Sequence, residues 1–244
     1  MADEARGVTR PRLFAELCCG SAAVTLALLG APTVGRWQGS KRAYADTILS
    51  VFGLRRGLGA DRFMLVDSGP WGSVWGAMSR GDGTTIAARI RAWCPPDRRY
   101  DAEEERATRA RYAELLPEAR AVAAGDAGAD PAAWLWCAAR TMPQASARND
   151  LAANNIITRR TGPGGCARWD QPAHRIEAIA IRLRGVRIEA RRCDAATVVP
   201  EPYVCYIDPP YAGAAGYGSA VDACALAAVW RDAGALVAVS ERVP

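Results

Sequence analysis

Four consecutive residues of this chain, Asp208-Pro209-Pro210-Tyr211, combine groups suited to chemistry, and they follow directly on the apolar run Tyr203-Val204-Cys205-Tyr206-Ile207. The amino nitrogen of adenine is a poor nucleophile because its lone pair is delocalised into the ring. To attack an electrophile it needs acceptors that grip its hydrogens and turn the lone pair outward. The Asp208 carboxylate and the Pro209 carbonyl are two such acceptors, and the paired prolines fix φ and remove donors, so that the carbonyls are presented by a rigid turn. Tyr211 adds an aromatic face on which an extruded base can stack. The same tetrapeptide would also serve simply to end a strand, since Asp and Pro are common turn formers.

Three further acids stand at the ends of apolar runs. Glu16 lies in Leu13-Phe14-Ala15-Glu16-Leu17, just before the small-residue turn Cys18-Cys19-Gly20-Ser21-Ala22. Asp67 closes Arg62-Phe63-Met64-Leu65-Val66, where a carboxylate can take both ribose hydroxyls of an adenosine, as in dinucleotide-binding folds. A lone acid at a strand end can equally cap the next helix. Asp194 follows the alternating stretch 186–190, one strand connection before Asp208, and is open to the same capping reading.

These residues need a scaffold that brings strand ends together. Apolar runs of five or six residues at 13–17, 62–67, 186–190, 203–207 and 235–239 read as strands. Helical patterns are expected at 23–29, 41–52, 71–78, 84–93, 173–183 and 221–232, with a charged surface helix over 97–125. Strands alternating with helices predict an α/β fold: a mainly parallel sheet with helices on both faces, which binds ligands beyond the carboxyl ends of its strands. From 127 to 171 the periodicity weakens and Pro143, Gly162, Pro163, Gly164 and Gly165 interrupt the chain. That stretch is the expected site of a target-recognition region, with Arg148, Asn149, Asn154, Asn155, Arg159, Arg160, Arg168 and Trp169 as candidate contacts to phosphates and bases. A solvated loop is the competing reading.

With 244 residues, half of them hydrophobic, the chain can bury a substantial core. Its 31 Lys and Arg against 26 Asp and Glu give a net charge of +5, which is compatible with an anionic partner and does not by itself require one. The eight cysteines show no metal-ligand spacing and are expected to be reduced and mostly buried; no metal is expected. The polar start and the interrupted apolar run at 13–29 read as neither a signal peptide nor a membrane span, so a cytoplasmic protein is expected. The lone histidine, His174, is expected on the surface.

Tyr206-Ile207-Asp208-Pro209-Pro210-Tyr211 resembles the catalytic motif of the adenine-N6-specific DNA methyltransferases of phages and restriction-modification systems. Amino-cytosine enzymes more often begin that motif with Ser, and glutamine or RNA-adenine enzymes with Asn. Residues 13–23 are similar to the family's cofactor loop, Glu-Pro-Phe-x-Gly-x-Gly: Glu16 and Gly20 match, while Leu17, Cys18 and Ala22 replace its Pro, Phe and second Gly. Trp37-Gln38-Gly39-Ser40-Lys41 is similar to the family's Trp-x-Gly-Gly-Lys segment, although it follows the glycine loop here instead of preceding it.

The resemblance implies a Rossmann-like class I methyltransferase fold and S-adenosyl-L-methionine as cofactor. Glu16, Cys18, Cys19 and Gly20 would line the cofactor, with Asp67 on its ribose, Asp194 on its adenine amino group, and Trp37 and Lys41 near its methionine end. Asp208, Pro209, Pro210 and Tyr211 would form the catalytic site for a flipped adenine in duplex DNA, methylated by direct in-line displacement. The expected organisation is a cofactor-binding half over 1–95, an inserted helical and irregular recognition region over 96–172, and a catalytic half over 173–244 whose C-terminus is short by comparison with the family. A monomer is expected. The alternatives are an amino-methyltransferase acting on cytosine N4 or RNA adenine, a non-catalytic methyltransferase-fold DNA-binding protein, and an interaction subunit that holds cofactor without turnover.

Overall fold

The computed structural model describes residues 11–34, 41–94, 102–141, 151, 171–210 and 221–240. Five strands, β1 (Leu13–Leu17), β2 (Arg62–Val66), β3 (Arg187–Arg191), β4 (Val204–Ile207) and β5 (Leu236–Val239), form one sheet in the order β3-β2-β1-β4-β5, and every pairing is parallel. β1 is central and buried along its whole length, as expected of an apolar strand covered on both faces. The protein is therefore an α/β protein with a parallel sheet, and it carries the reversal of strand order typical of doubly wound folds.

Among the described residues, two helices precede β2: α1 (Ala23–Leu28) and α2 (Ala45–Val51). The single helix expected over 41–52 is instead a 3-10 turn at Lys41–Ala43 followed by α2. Among the described residues, five helices lie between β2 and β3: α3 (Pro70–Ser79), α4 (Gly83–Ala92), α5 (Ala102–Ala124), α6 (Pro131–Ala138) and α7 (Gln171–Leu183). The last helix among the described residues, α8 (Ala223–Asp232), connects β4 to β5.

Alternation along the strands divides the core. Phe14, Phe63 and Tyr206 face α1 and α2, while Leu13, Ala15, Leu17, Met64, Cys205 and Ile207 face the opposite way and pack with Leu226, Ala227 and Trp230 of α8. The largest cluster joins α3, α4, α5, α6 and α7 around Trp75, Trp134, Trp136 and Tyr112. The helix expected to lie on the surface over 97–125 thus has an inner face, with Tyr112, Ala119 and Val122 fully buried. Helix α6, in the stretch read as irregular, is buried at seven consecutive positions from Ala132 to Ala138. Helices α5 and α6, inside the 96–172 segment read as an insertion, pack in the same cluster as α3 and α4.

At the sheet edge, β3 alternates Ile188 and Ala190 with Arg187, Glu189 and Arg191. Both Arg62 and Arg191 pair with Glu189, and Arg62 also pairs with Glu201. Seven cysteines are described and all are free; Cys19, Cys137 and Cys205 are buried. Among the described residues no helix is long and apolar enough to cross a membrane.

Candidate functional site

The parallel register dictates where the chemistry gathers. Leu17 pairs with Val66 and Ile207, Val66 with Arg191, and Ile207 with Val239. The residues one step past these ends are therefore adjacent in sheet order: Arg192, Asp67, Cys18, Asp208 and Ser240, with neighbouring strands roughly 4.8 Å apart. Backbone bonds carry the ladder past the strand ends, from Asp67 N–H to the Arg191 carbonyl (3.1 Å), Asp208 N–H to Leu17 (3.0 Å) and Ser240 N–H to Ile207 (3.0 Å). The strand order reverses between β1 and β4, so Cys18 and Asp208 flank the crevice where such sheets bind ligands.

Asp208 is held by two side chains, both on the same carboxylate oxygen. Lys41 Nζ lies 2.7 Å from its Oδ1, and the Ser240 hydroxyl donates to the same oxygen at 2.6 Å. Lys41 and Asp208 are only 11% and 16% exposed, so this ion pair is screened far less than a surface pair. Burial pushes the Asp208 carboxyl upward, while the Lys41 charge and the bonds from Lys41 and Ser240 pull it back toward the ionised form. Pro209 is buried beside it. Tyr211 and Trp37 lie outside the described residues, as does the Arg148-to-Trp169 contact set.

The loop after β1 is held in an unusual shape. Cys18, Gly20 and Ala22 all have positive φ, at 56°, 46° and 50°. For the two non-glycine residues this conformation costs about 1–2 kcal/mol each. Ala22, where the resembling family has glycine, keeps a backbone that glycine would adopt freely. The loop is fixed from below by three contacts: Cys19 N–H donates to the Val66 carbonyl (2.9 Å), Trp75 Nε1 donates to the Gly20 carbonyl (2.8 Å), and Gly20 N–H donates to Asp67 Oδ2 (2.9 Å). A side chain built on Gly20 would meet nothing within 4 Å, so this backbone borders open space.

Asp67 does two jobs with one carboxylate. Its Oδ2 accepts from Gly20 and its Oδ1 accepts from Gly69 N–H at 2.8 Å, just before α3. Burial raises the Asp67 carboxyl, opposed by those two N–H groups and by the Arg192 charge. Glu16 is 2% exposed and accepts from Thr25 N–H at 2.7 Å, which makes it the cap of α1 that Ala22 cannot supply. Burial lifts the Glu16 carboxyl to about 7, against the Thr25 bonds and with a smaller contribution from the Asp208 charge.

Cys18 reports how closely the acids converge. Its thiol is pushed up to about 12, first by burial and then by the charges of Asp67, Asp208 and Asp194. Asp194 itself is exposed and accepts from Ala196 N–H at 2.9 Å, capping the turn Ala195–Thr197. Glu16, Cys18, Cys19, Gly20, Lys41, Asp67, Asp194, Asp208 and Pro209 thus share one end of the sheet. Among the described residues no cluster of His, Cys, Asp and Glu is arranged to hold a metal ion.

Ser240 and Arg192 were not foreseen. Both could have been found by the rule that located the acids, because each is the first residue past a strand; neither carries a carboxylate, so neither drew notice. No family model, curated protein or solved structure matches the chain.

Proposed function

We propose that this protein transfers a methyl group from S-adenosyl-L-methionine to the N6 amino group of adenine in DNA, on a Rossmann-like methyltransferase domain. The observation that carries the reading is the row of side chains past the parallel strands, in which Asp208, supported by Lys41 and Ser240, stands across the strand-order reversal from the Cys18–Gly20 loop and Asp67.

The donor set suits the cofactor. A backbone turn facing open space at Gly20 can receive an extended small molecule without steric conflict, and Asp67 retains lone pairs for ribose hydroxyls beside the two that hold Gly20 and Gly69. Asp194, exposed at the next strand end, is available to an adenine amino group. Bound there, S-adenosyl-L-methionine supplies an electrophilic methyl group.

What the chain itself must do is hold the target amino group. The Asp208 carboxylate and the Pro209 carbonyl accept its two hydrogens and turn the lone pair out of the ring plane. Accepting requires an ionised Asp208, and Lys41 and Ser240 oppose the burial that would protonate it. Tyr211 would stack on the extruded base. Lys41, which the resemblance sets near the methionine end of the cofactor, also pairs with Asp208 through Oδ1.

The reading is tested by incubating the protein with radiolabelled S-adenosyl-L-methionine and mixed-sequence duplex DNA, then digesting the product to nucleosides. Labelled N6-methyladenine supports it. Label in N4-methylcytosine, or label that appears only when RNA is supplied in place of the DNA, moves the substrate; no label, with DNA bound but no cofactor bound in a parallel binding measurement, replaces the enzyme with a DNA-binding protein of the same fold.

A further inference from the structure

We propose that Arg192 is a positioning residue that ties the C-terminal end of α5 to the turn that carries Asp67, so that cofactor affinity depends on how that helix is anchored. The inference rests on the assignment of Asp67 to the cofactor ribose.

Arg192 follows β3 and stands next to Asp67 in the row of residues past the strand ends. Its guanidinium reaches three groups on two helices: the Ser73 hydroxyl of α3 at 2.7 Å, the Val122 carbonyl, and the Ala123 carbonyl at 2.9 Å. Val122 and Ala123 lie in the last turn of α5, whose final carbonyls have no partner within the helix, and a cation there also meets the negative end of the helix dipole. A planar fork with several donors can satisfy two carbonyls and a hydroxyl together; a single ammonium has no such fixed geometry.

The packing leaves no slack around it. A Cβ on Gly72, in the first turn of α3, would lie 2.4 Å from the Asp67 carbonyl oxygen and 2.8 Å from Arg192 Cβ. Gly125, at φ 100°, turns the chain away just past α5, and a Cβ there would lie 3.6 Å from the guanidinium. The strand end that carries Arg192 is bonded to the turn that carries Asp67 through Asp67 N–H and the Arg191 carbonyl (3.1 Å), and to the end of α5 through the guanidinium. Arg192 also acts through charge, favouring the ionised form of Asp67 against its burial. The other titratable groups facing Asp67 are the thiols of Cys18 and Cys19, both raised by burial and so protonated at neutral pH.

Two substitutions separate charge from anchoring. Arg192→Gln keeps amide donors and removes the charge; Arg192→Lys keeps the charge and loses the fork. Cofactor dissociation constants for the full chain are measured by calorimetry from pH 5 to 8. In parallel, the Asp67 carboxyl is titrated by 13C NMR in cofactor-free protein, which reads the coupling independently of any ligand.

In Arg192→Gln the Asp67 midpoint moves up, and cofactor affinity falls about tenfold for each pH unit below the new midpoint. In Arg192→Lys the midpoint stays close to that of wild type while affinity weakens evenly across the pH range. An unmoved Asp67 midpoint in Arg192→Gln, with both variants weakened equally at every pH, overturns the proposal and leaves Arg192 a packing residue. If the midpoint moves but wild type binds no S-adenosyl-L-methionine, the cofactor role is overturned and only the Arg192–Asp67 coupling stands.

Discussion

Asp208 sits between opposing influences: burial favours its acid form, and Lys41 and Ser240 favour the carboxylate. Replacing Lys41 with Met removes the larger of the two opposing contributions, so the Asp208 carboxyl rises further. Under the proposed function the ionised form is the one that accepts amino hydrogens, so the acidic limb of the pH–rate profile should move to higher pH in Lys41→Met; an unmoved limb would separate Lys41 from that role. Glu16 offers a test in stability instead of rate. Its carboxyl rises from 4.5 to about 7 on folding, so the folded protein holds a proton that the unfolded chain releases. That contribution is full below pH 4.5 and is lost as pH climbs through 7. Glu16→Gln still accepts from Thr25 and no longer titrates, so chemical denaturation should find it progressively more stable than wild type as pH rises across this window, by at most about 3 kcal/mol.

At the scale of elements, the tightest constraint is the start of α3. An Ala for Gly exchange inside a helix ordinarily stabilises by about 1 kcal/mol. At Gly72 the added methyl would press on the Asp67 carbonyl and on Arg192, contacts far inside van der Waals distance. Overpacking of that kind costs about 1–3 kcal/mol, so Gly72→Ala should lower the urea midpoint despite its better helix propensity; an unchanged or raised midpoint would contradict the packing described. The same elements explain which parts of the fold were legible. The strands were readable because each is an apolar run of the right length, and β3 because Arg187, Glu189 and Arg191 alternate with apolar neighbours. Helix α6 was not, since Ala132 to Ala138 are buried on every side and such a helix has no amphipathic period to detect. The division of 41–52 into a 3-10 turn and α2 was equally invisible, because nothing local announces that Lys41 must reach Asp208.

For the molecule as a whole, the parallel register does what no local motif can. It sets side by side residues from five distant segments: Asp67 and Asp208, legible as acids that close apolar runs, and Cys18, Arg192 and Ser240, whose places beside them follow from the register alone. The aromatic chain from Trp75 through Trp71 (stacked, 6.0 Å between centroids) to Trp134 (edge-to-face, 5.2 Å) runs from the loop at Gly20 out to α6 and joins the large helical cluster to the crevice. Under the proposed function, Asp208 is the group that holds the target amino nitrogen. The most direct test measures methyl transfer to duplex DNA by wild type and Asp208→Ala, with the cofactor dissociation constant determined on the same preparations. Loss of transfer by at least about 10³-fold, with cofactor affinity within about twofold of wild type, is the predicted result. Transfer by Asp208→Ala within about tenfold of wild type would contradict it, because the methyl group would then be moving without the acid at the centre of the site.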